Sequence, residues 1–254
     1  MNTEKITSHL KQIEVEKNIE ILYACETGSR AWGFASPDSD YDIRFIYKHK
    51  KDWYLSINEK KDFINIMLDN GELDITGWDL KKSLLLLNKS NAALIERFTS
   101  PIVYFEKDNT GNNFRALINK SYNRVAVFYH HHSLAKKFWD ELKVKVDIKL
   151  KSLFYLIRSL LSCNYVLNNT DIVPMNIFPL LDLVDKDFKE KMLKLIEVKK
   201  SVTEKYLHHL DKYMKDWIEN MFTYVEANKS NLITSKNNID NLNDFFLKTL
   251  NNDN

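Results

Sequence analysis

Gly28-Ser29-Arg30-Ala31-Trp32-Gly33, followed by Ser36 and then by Ser39-Asp40-Tyr41-Asp42-Ile43-Arg44, is the stretch that decides how this chain is read. Just ahead of it, residues 19–24 (IEILYA) form an apolar run suited to a buried strand. A glycine and a serine directly after such a strand bring backbone donors and a hydroxyl close to a phosphate. Arg30 or Ala31 can then open a helix whose first amides stay available. Residues 41–47 alternate around Asp42 and Arg44, so positions i and i+2 share a face, and Asp40 and Asp42 are expected to point together. Two carboxylates so placed are hard oxygen ligands for magnesium or manganese. Residues 71–77 (GELDITG) read as a third short strand, on which Asp74 completes a set of three acidic groups. Charges in an apolar strand context are costly unless paired or metal-bound, which argues that these three have work to do.

No part of this pattern is specific alone. A Gly-Ser pair is a common turn, an Asp-x-Asp pair is usually solvent-facing, and Asp74 by itself is an ordinary strand-edge carboxylate. The weight lies in the order: strand, Gly-Ser, and a carboxylate pair at short range.

Working outward, an amphipathic helix is expected through about residue 16 ahead of the first strand. After the polar stretch 49–62 and the strand at 71–77, Asp79 can cap a helix through Leu87. Asn91 opens another helix, Pro101 ends it, and residues 102–105 (IVYF) return as an extended segment. Residues 107–113 are the clearest linker candidate, and beyond them the pattern turns helical: 114–139, 143–163, 179–184 and 188–219. The expected architecture is therefore α/β (α+β), a mixed sheet in a catalytic domain over 1–110 and a helical domain over 111–254. There is no tandem repeat, and the final NNDN is expected to fray.

Composition limits the function classes. Thirty-seven basic and 35 acidic side chains among 254 residues give a net charge of +2, so any polyanion site must be local. Only six of the basic residues are arginines, Arg30, Arg44, Arg97, Arg115, Arg124 and Arg158, which makes each a selective marker for a bidentate contact. Two cysteines rule out a disulfide-dense scaffold and a four-cysteine zinc site. No apolar run reaches the roughly 18–20 residues that cross a bilayer, so no membrane partner is expected and a reduced, cytoplasmic protein is the simpler reading.

GSRAWG with the downstream SDYDIR resembles the minimal polymerase-beta-like nucleotidyltransferase superfamily, and most closely its RNA-ligase-associated predicted nucleotidyltransferase family. The resemblance extends through LDITGWDLKK, YNRVAVFYHHHSLAK and KLKSLFYLIRSLL, over most of residues 20–163. It implies a mixed-sheet core followed by helices. It also implies that Gly28 and Ser29 hold nucleotide phosphate and that Asp40 and Asp42 bind catalytic Mg2+ or Mn2+, with Asp74 as the third carboxylate. Trp32 departs from the basic residue often found at that point in the wider superfamily.

Arg30 and Arg44 are candidates either for phosphate contact or for steadying the acidic cluster. In the helical half, His132 and Lys136 of YHHHSLAKK, and Lys151 and Arg158 further on, are candidate nucleotide-binding groups. The three adjacent histidines spread around a helix and do not make a zinc site. Trp217, Phe222 and Tyr224 read as helical core rather than a base-stacking platform. The function expected is transfer of a nucleoside monophosphate from a nucleoside triphosphate such as ATP to a hydroxyl acceptor, in an RNA repair or processing context. The residues leave the acceptor open among RNA, protein and small molecules. The alternative is a nucleotide- or RNA-binding accessory protein that keeps the fold without the transfer.

Overall fold

The computed structural model describes residues 3–234 and 239–251. The chain divides into two compact units, one built from residues 3–31, 40–122 and 239–251 and the other from 32–39 and 123–234.

The first unit is organised by a mixed five-stranded sheet. Its strands are β1 (Glu20–Glu26), β2 (Tyr41–Lys48), β3 (Phe63–Leu68), β4 (Leu73–Asp79) and β5 (Val103–Glu106), in the spatial order β3-β4-β2-β1-β5. Only the β2–β4 pair is parallel, and its register sets Asp42 beside Asp74 and Arg44 beside Thr76. The pleat then sorts each strand by face. Ile43 and Phe45 of β2 and Leu73 and Ile75 of β4 are fully buried, whereas Asp42, Arg44, Asp74 and Thr76 are half-buried on the other face. The apolar face is covered by α1 (Thr3–Lys17), whose Ile6, Leu10 and Ile13 fall at helical spacing and join Ile43, Phe45, Tyr47, Leu73 and Ile75 in one core. Each such buried aliphatic side chain contributes about 1.5–3 kcal/mol. The helix thus fixes which face of the sheet is left for polar chemistry.

The unit's other helices are α2 (Gly28–Trp32), α3 (Lys51–Tyr54), α4 (Leu80–Asn88), α5 (Ala92–Arg97) and α6 (Thr110–Ser121). Asp79 caps α4 by accepting the Lys81 N–H, and the Asn91 side chain caps α5 through Leu94 N–H, both as their sequence positions indicate. The stretch 107–113, expected as a linker, is a turn inside this unit. Lys107 N–H still bonds Leu22 C=O at the end of the sheet, Asn109 turns through φ 59°, and α6 begins at Thr110. Phe114 of α6 stacks on Phe98 at 4.4 Å. The units part at 122/123 instead. A second difference is at the other end of the chain. Helix α12 (Ile239–Asn251) belongs to the sheet unit, where Phe245 meets Phe114 and Phe246 meets Tyr54 edge-on.

The second unit is helical: α7 (Arg124–Leu142), α8 (Leu150–Asn168), α9 (Phe178–Leu181), α10 (Lys186–Ser201) and α11 (Lys212–Asn228), with a two-stranded ribbon of β6 (Asp147–Lys149) and β7 (Leu207–His209). The run expected as one helix over 114–139 breaks at Tyr122-Asn123, where the Asn123 side chain caps α7. The run over 188–219 is two helices separated by β7. Residues 32–39 join this unit through side chains: Phe34 stacks on Phe154 at 4.6 Å, Trp32 stands edge-on to Tyr155, and the buried Lys199 ammonium donates to Ser36 Oγ at 2.7 Å. No described helix is long and apolar enough to cross a membrane. The final NNDN falls, beyond Asn251, outside the described residues.

Gly77 gives a test of the β2–β4 contact. A Cβ there would stand 2.2 Å from the Phe45 ring, so the parallel pair packs as closely as it does because β4 has no side chain at that point. Gly77→Ala is expected to cost about 1–3 kcal/mol in chemical denaturation, as overpacking does. Phe45→Leu in the same chain should recover part of the loss. Additive losses in the double variant would contradict this packing.

Candidate active site

The parallel register alone brings Asp42 and Asp74 side by side, and two neighbouring carboxylates repel unless a cation separates them. Arg44, two residues along β2 and on the same face, supplies that cation. Its Nη2 donates to Asp42 Oδ1 at 3.0 Å and to Asp74 Oδ2 at 2.8 Å, and its Nη1 donates to the backbone oxygens of Ile43 and Asp74, each at 3.1 Å. Asp74 Oδ1 accepts from Thr76 Oγ1 at 3.3 Å.

The Gly-Ser turn sits directly against this pair. Gly28 has φ 62°, and a Cβ on it would stand 2.0 Å from Asp42 Oδ2, so only glycine allows the chain to pass so close to the carboxylate. Thr27 ties the turn down, its N–H and its hydroxyl both donating to Asp42 C=O at 2.9 and 3.0 Å. Ser29 is buried behind the turn. Arg30 donates from Nε to Asp40 C=O at 3.0 Å and lays its guanidinium 3.8 Å from the centre of the Tyr41 ring, which fixes the entry into β2.

The sequence reading missed Glu26. This carboxylate is fully buried at the end of β1; it accepts the Asp42 N–H at 2.6 Å and the Tyr104 hydroxyl at 2.5 Å. Burial pushes its carboxyl up to about 7, against the opposing pull of those two hydrogen bonds. Its signal was present: an acidic residue closing the apolar run ILYAC, immediately before Thr27-Gly28-Ser29.

Asp40 lies one residue before β2 and is exposed. Among the described residues, no three His, Cys, Asp or Glu side chains are gathered as a metal-holding cluster. The pair Asp42–Asp74 nevertheless fits a hard divalent cation. It offers anionic oxygens fixed side by side, and it already holds one positive group, the Arg44 guanidinium, between them.

The other candidates lie in the second unit and are engaged there. His132 Nε2 meets Glu226 Oε1 at 2.8 Å, and burial lowers its pKa although Glu226 pulls the other way. Lys136 lines a groove with Trp139, Asp140, Glu219 and Phe222. Lys151 pairs with Glu204 at 2.6 Å. Arg158 is buried, donates from Nε to Met175 C=O at 3.1 Å and stacks over Trp32 at 4.5 Å. Cys25 and Cys163 are free and buried, and burial raises both thiols, Cys25 to about 12.

The uncharacterized protein YcgL of Bacillus subtilis (strain 168) is 35% identical over 250 residues, covering 97% of this chain and 96% of that protein. Residues 2–248, and with them the Gly-Ser turn, the carboxylate pair and both units' helices, match a single protein family. The chain belongs to the family described as RlaP, the RNA repair pathway DNA polymerase beta family, and so to the polymerase-beta-like nucleotidyltransferases.

Proposed function

We propose that this chain is a metal-dependent nucleotidyltransferase that moves a nucleoside monophosphate from a nucleoside triphosphate to a hydroxyl acceptor and releases pyrophosphate. The observation that carries the reading is the juxtaposition of Gly28 with the Asp42–Asp74 pair, set by the β2–β4 register and closed by one cation. Asp42 and Asp74 are the residues that would hold Mg2+ or Mn2+. SDYDIR supports Asp40 as a further ligand through its resemblance to the family motif. A divalent ion bound there supplies charge neutralisation of the triphosphate and an acidified acceptor hydroxyl.

The chain's own residues bind and align. The turn at Gly28 and Ser29 keeps backbone close to the carboxylates, which suits it to receive phosphate oxygens beside them. Arg30, braced on Asp40 and Tyr41, adds positive charge at the mouth of the turn. Glu26 acts at one remove: by accepting the Asp42 N–H it fixes the backbone from which Asp42 projects. The family description supports RNA as the acceptor class and repair as the context. The free, buried cysteines favour a reducing compartment, the cytoplasm. The reading rests on the first unit alone.

Incubation with α-labelled nucleoside triphosphates, Mg2+ or Mn2+ and a pool of RNA, protein and small-molecule acceptors should give metal-dependent label transfer. Asp42→Asn and Asp74→Asn should each lower it by about two orders of magnitude, the rate equivalent of the several kcal/mol a metal site contributes. No transfer with any of the four nucleotides, from folded protein that binds nucleotide, would favour the accessory reading.

Glu26 yields a pH test. A carboxyl held near 7 in the folded chain and near 4.5 when free keeps a proton between those values that the unfolded chain has lost. Without divalent ions, stability should therefore fall as pH rises from about 4.5 to 7 and level off above. The loss is on the order of 3 kcal/mol. Glu26→Gln, which can still accept from Asp42 N–H, should flatten that slope in urea denaturation series. An unchanged slope would remove Glu26 as its source.

A further inference from the structure

Asp42 and Asp74 have four carboxylate oxygens, and the surrounding protein accounts for all of them. Arg44 Nη2 occupies Asp42 Oδ1 and Asp74 Oδ2, Thr76 approaches Asp74 Oδ1, and Gly28 packs against Asp42 Oδ2. The guanidinium is anchored further by two backbone oxygens, so it is a planar fork held at four acceptors and not a loose surface charge. A divalent ion bound to the same carboxylates would have to take the position the guanidinium now fills, since two cations at that distance repel strongly.

The clasp is also open to exchange. Its three side chains are only partly covered, at 20% exposure for Arg44, 28% for Asp42 and 25% for Asp74, so an ion arriving from solvent can reach the pair and the freed arginine can reach solvent. Leaving the clasp costs Arg44 its carboxylate partners, and that cost is smallest when another anion replaces them.

We propose that Arg44 is an internal counter-ion that keeps the Asp42–Asp74 pair closed to divalent metal until an anionic substrate takes over its guanidinium. This rests on the nucleotidyltransferase reading and adds a control to the same site. Metal and triphosphate then enter together: the triphosphate gives Arg44 a new partner, and the vacated carboxylates receive the ion. Arg44 is a positioning residue here, acting on the reaction through the carboxylates it guards. By reciprocity, nucleotide should tighten metal binding and metal should tighten nucleotide binding by the same factor, and that factor should shrink when Arg44 is neutralised.

The test is direct binding of Mn2+ to the full chain by electron paramagnetic resonance or calorimetry, with and without a non-hydrolysable nucleoside triphosphate. Arg44→Gln removes the charge and keeps a hydrogen-bonding side chain; Arg44→Lys keeps the charge and loses the fork, which holds the test together if the first variant folds poorly. Without nucleotide, Arg44→Gln should bind Mn2+ about tenfold or more tightly than the unaltered chain, with Arg44→Lys between them. Adding Asp42→Asn should abolish the gain. Nucleotide should tighten Mn2+ binding to the unaltered chain more than to Arg44→Gln. Equal or weaker Mn2+ binding by folded Arg44 variants would overturn the counter-ion role while leaving the metal site standing. Absence of Mn2+ binding in every form, with or without nucleotide, would overturn the metal-dependent reading and this proposal with it.

Discussion

The parallel pairing of β2 with β4 is the constraint on which the rest depends. Parallel strands keep residues of equal register on one face. Once Ile43 and Phe45 are committed to the core, with Leu73 and Ile75 beside them, Asp42 and Asp74 must emerge together on the other side. A one-residue slip of β2 against β4 would turn Asp42 toward the core face and expose Ile43 and Phe45, separating the two carboxylates. The apolar face thus enforces the placement of the charges, and Gly77 under the Phe45 ring helps hold the two strands close.

Placing two carboxylates together has a cost that the surrounding residues offset in separate ways. Arg44 separates them with a positive charge. Thr27 and Glu26 hold the Asp42 backbone from both its C=O and its N–H, so the side chain projects from a fixed point. Glu26 itself carries little negative charge below pH 7 because burial favours its protonated form, which spares the pair a third repulsion. The Gly28 turn adds no side chain at the one place where any would collide with Asp42. The result is a preorganised cluster of two carboxylates around one guanidinium.

Much of this was legible in the sequence. The short-range order of strand, GSRAWG and SDYDIR announced the turn and the carboxylates, and Asp79 and Asn91 announced their helices by capping chemistry. What was lost depended on partners distant in sequence. β3 is an edge strand next to a polar stretch, and its alternation of inward Ile64, Ile66 and Leu68 with outward Phe63, Asn65 and Met67 carries a period of two that gains its meaning only from pairing with β4. The polar composition of residues 107–113 suggested a linker where a tight turn into α6 suffices. Helix α12 packs on Tyr54 and Phe114, partners far from it in sequence that only the folded chain brings to it. Equal spacing put Asp40 with Asp42, and the strand itself begins at Tyr41, one residue after Asp40. Arg44 was seen as either a phosphate ligand or a brace for the acidic cluster. In the structure its guanidinium is hydrogen-bonded to both Asp42 and Asp74.

The central claim is that the Asp42–Asp74 pair is a cation site whose occupant changes from guanidinium to metal. Anomalous diffraction from crystals grown with Mn2+ and a non-hydrolysable nucleoside triphosphate tests it most directly. The expected result is a manganese peak within coordination distance of both carboxylates, with the Arg44 guanidinium moved off them. A manganese peak elsewhere on the triphosphate, with Arg44 still bonded to Asp42 and Asp74, would contradict it.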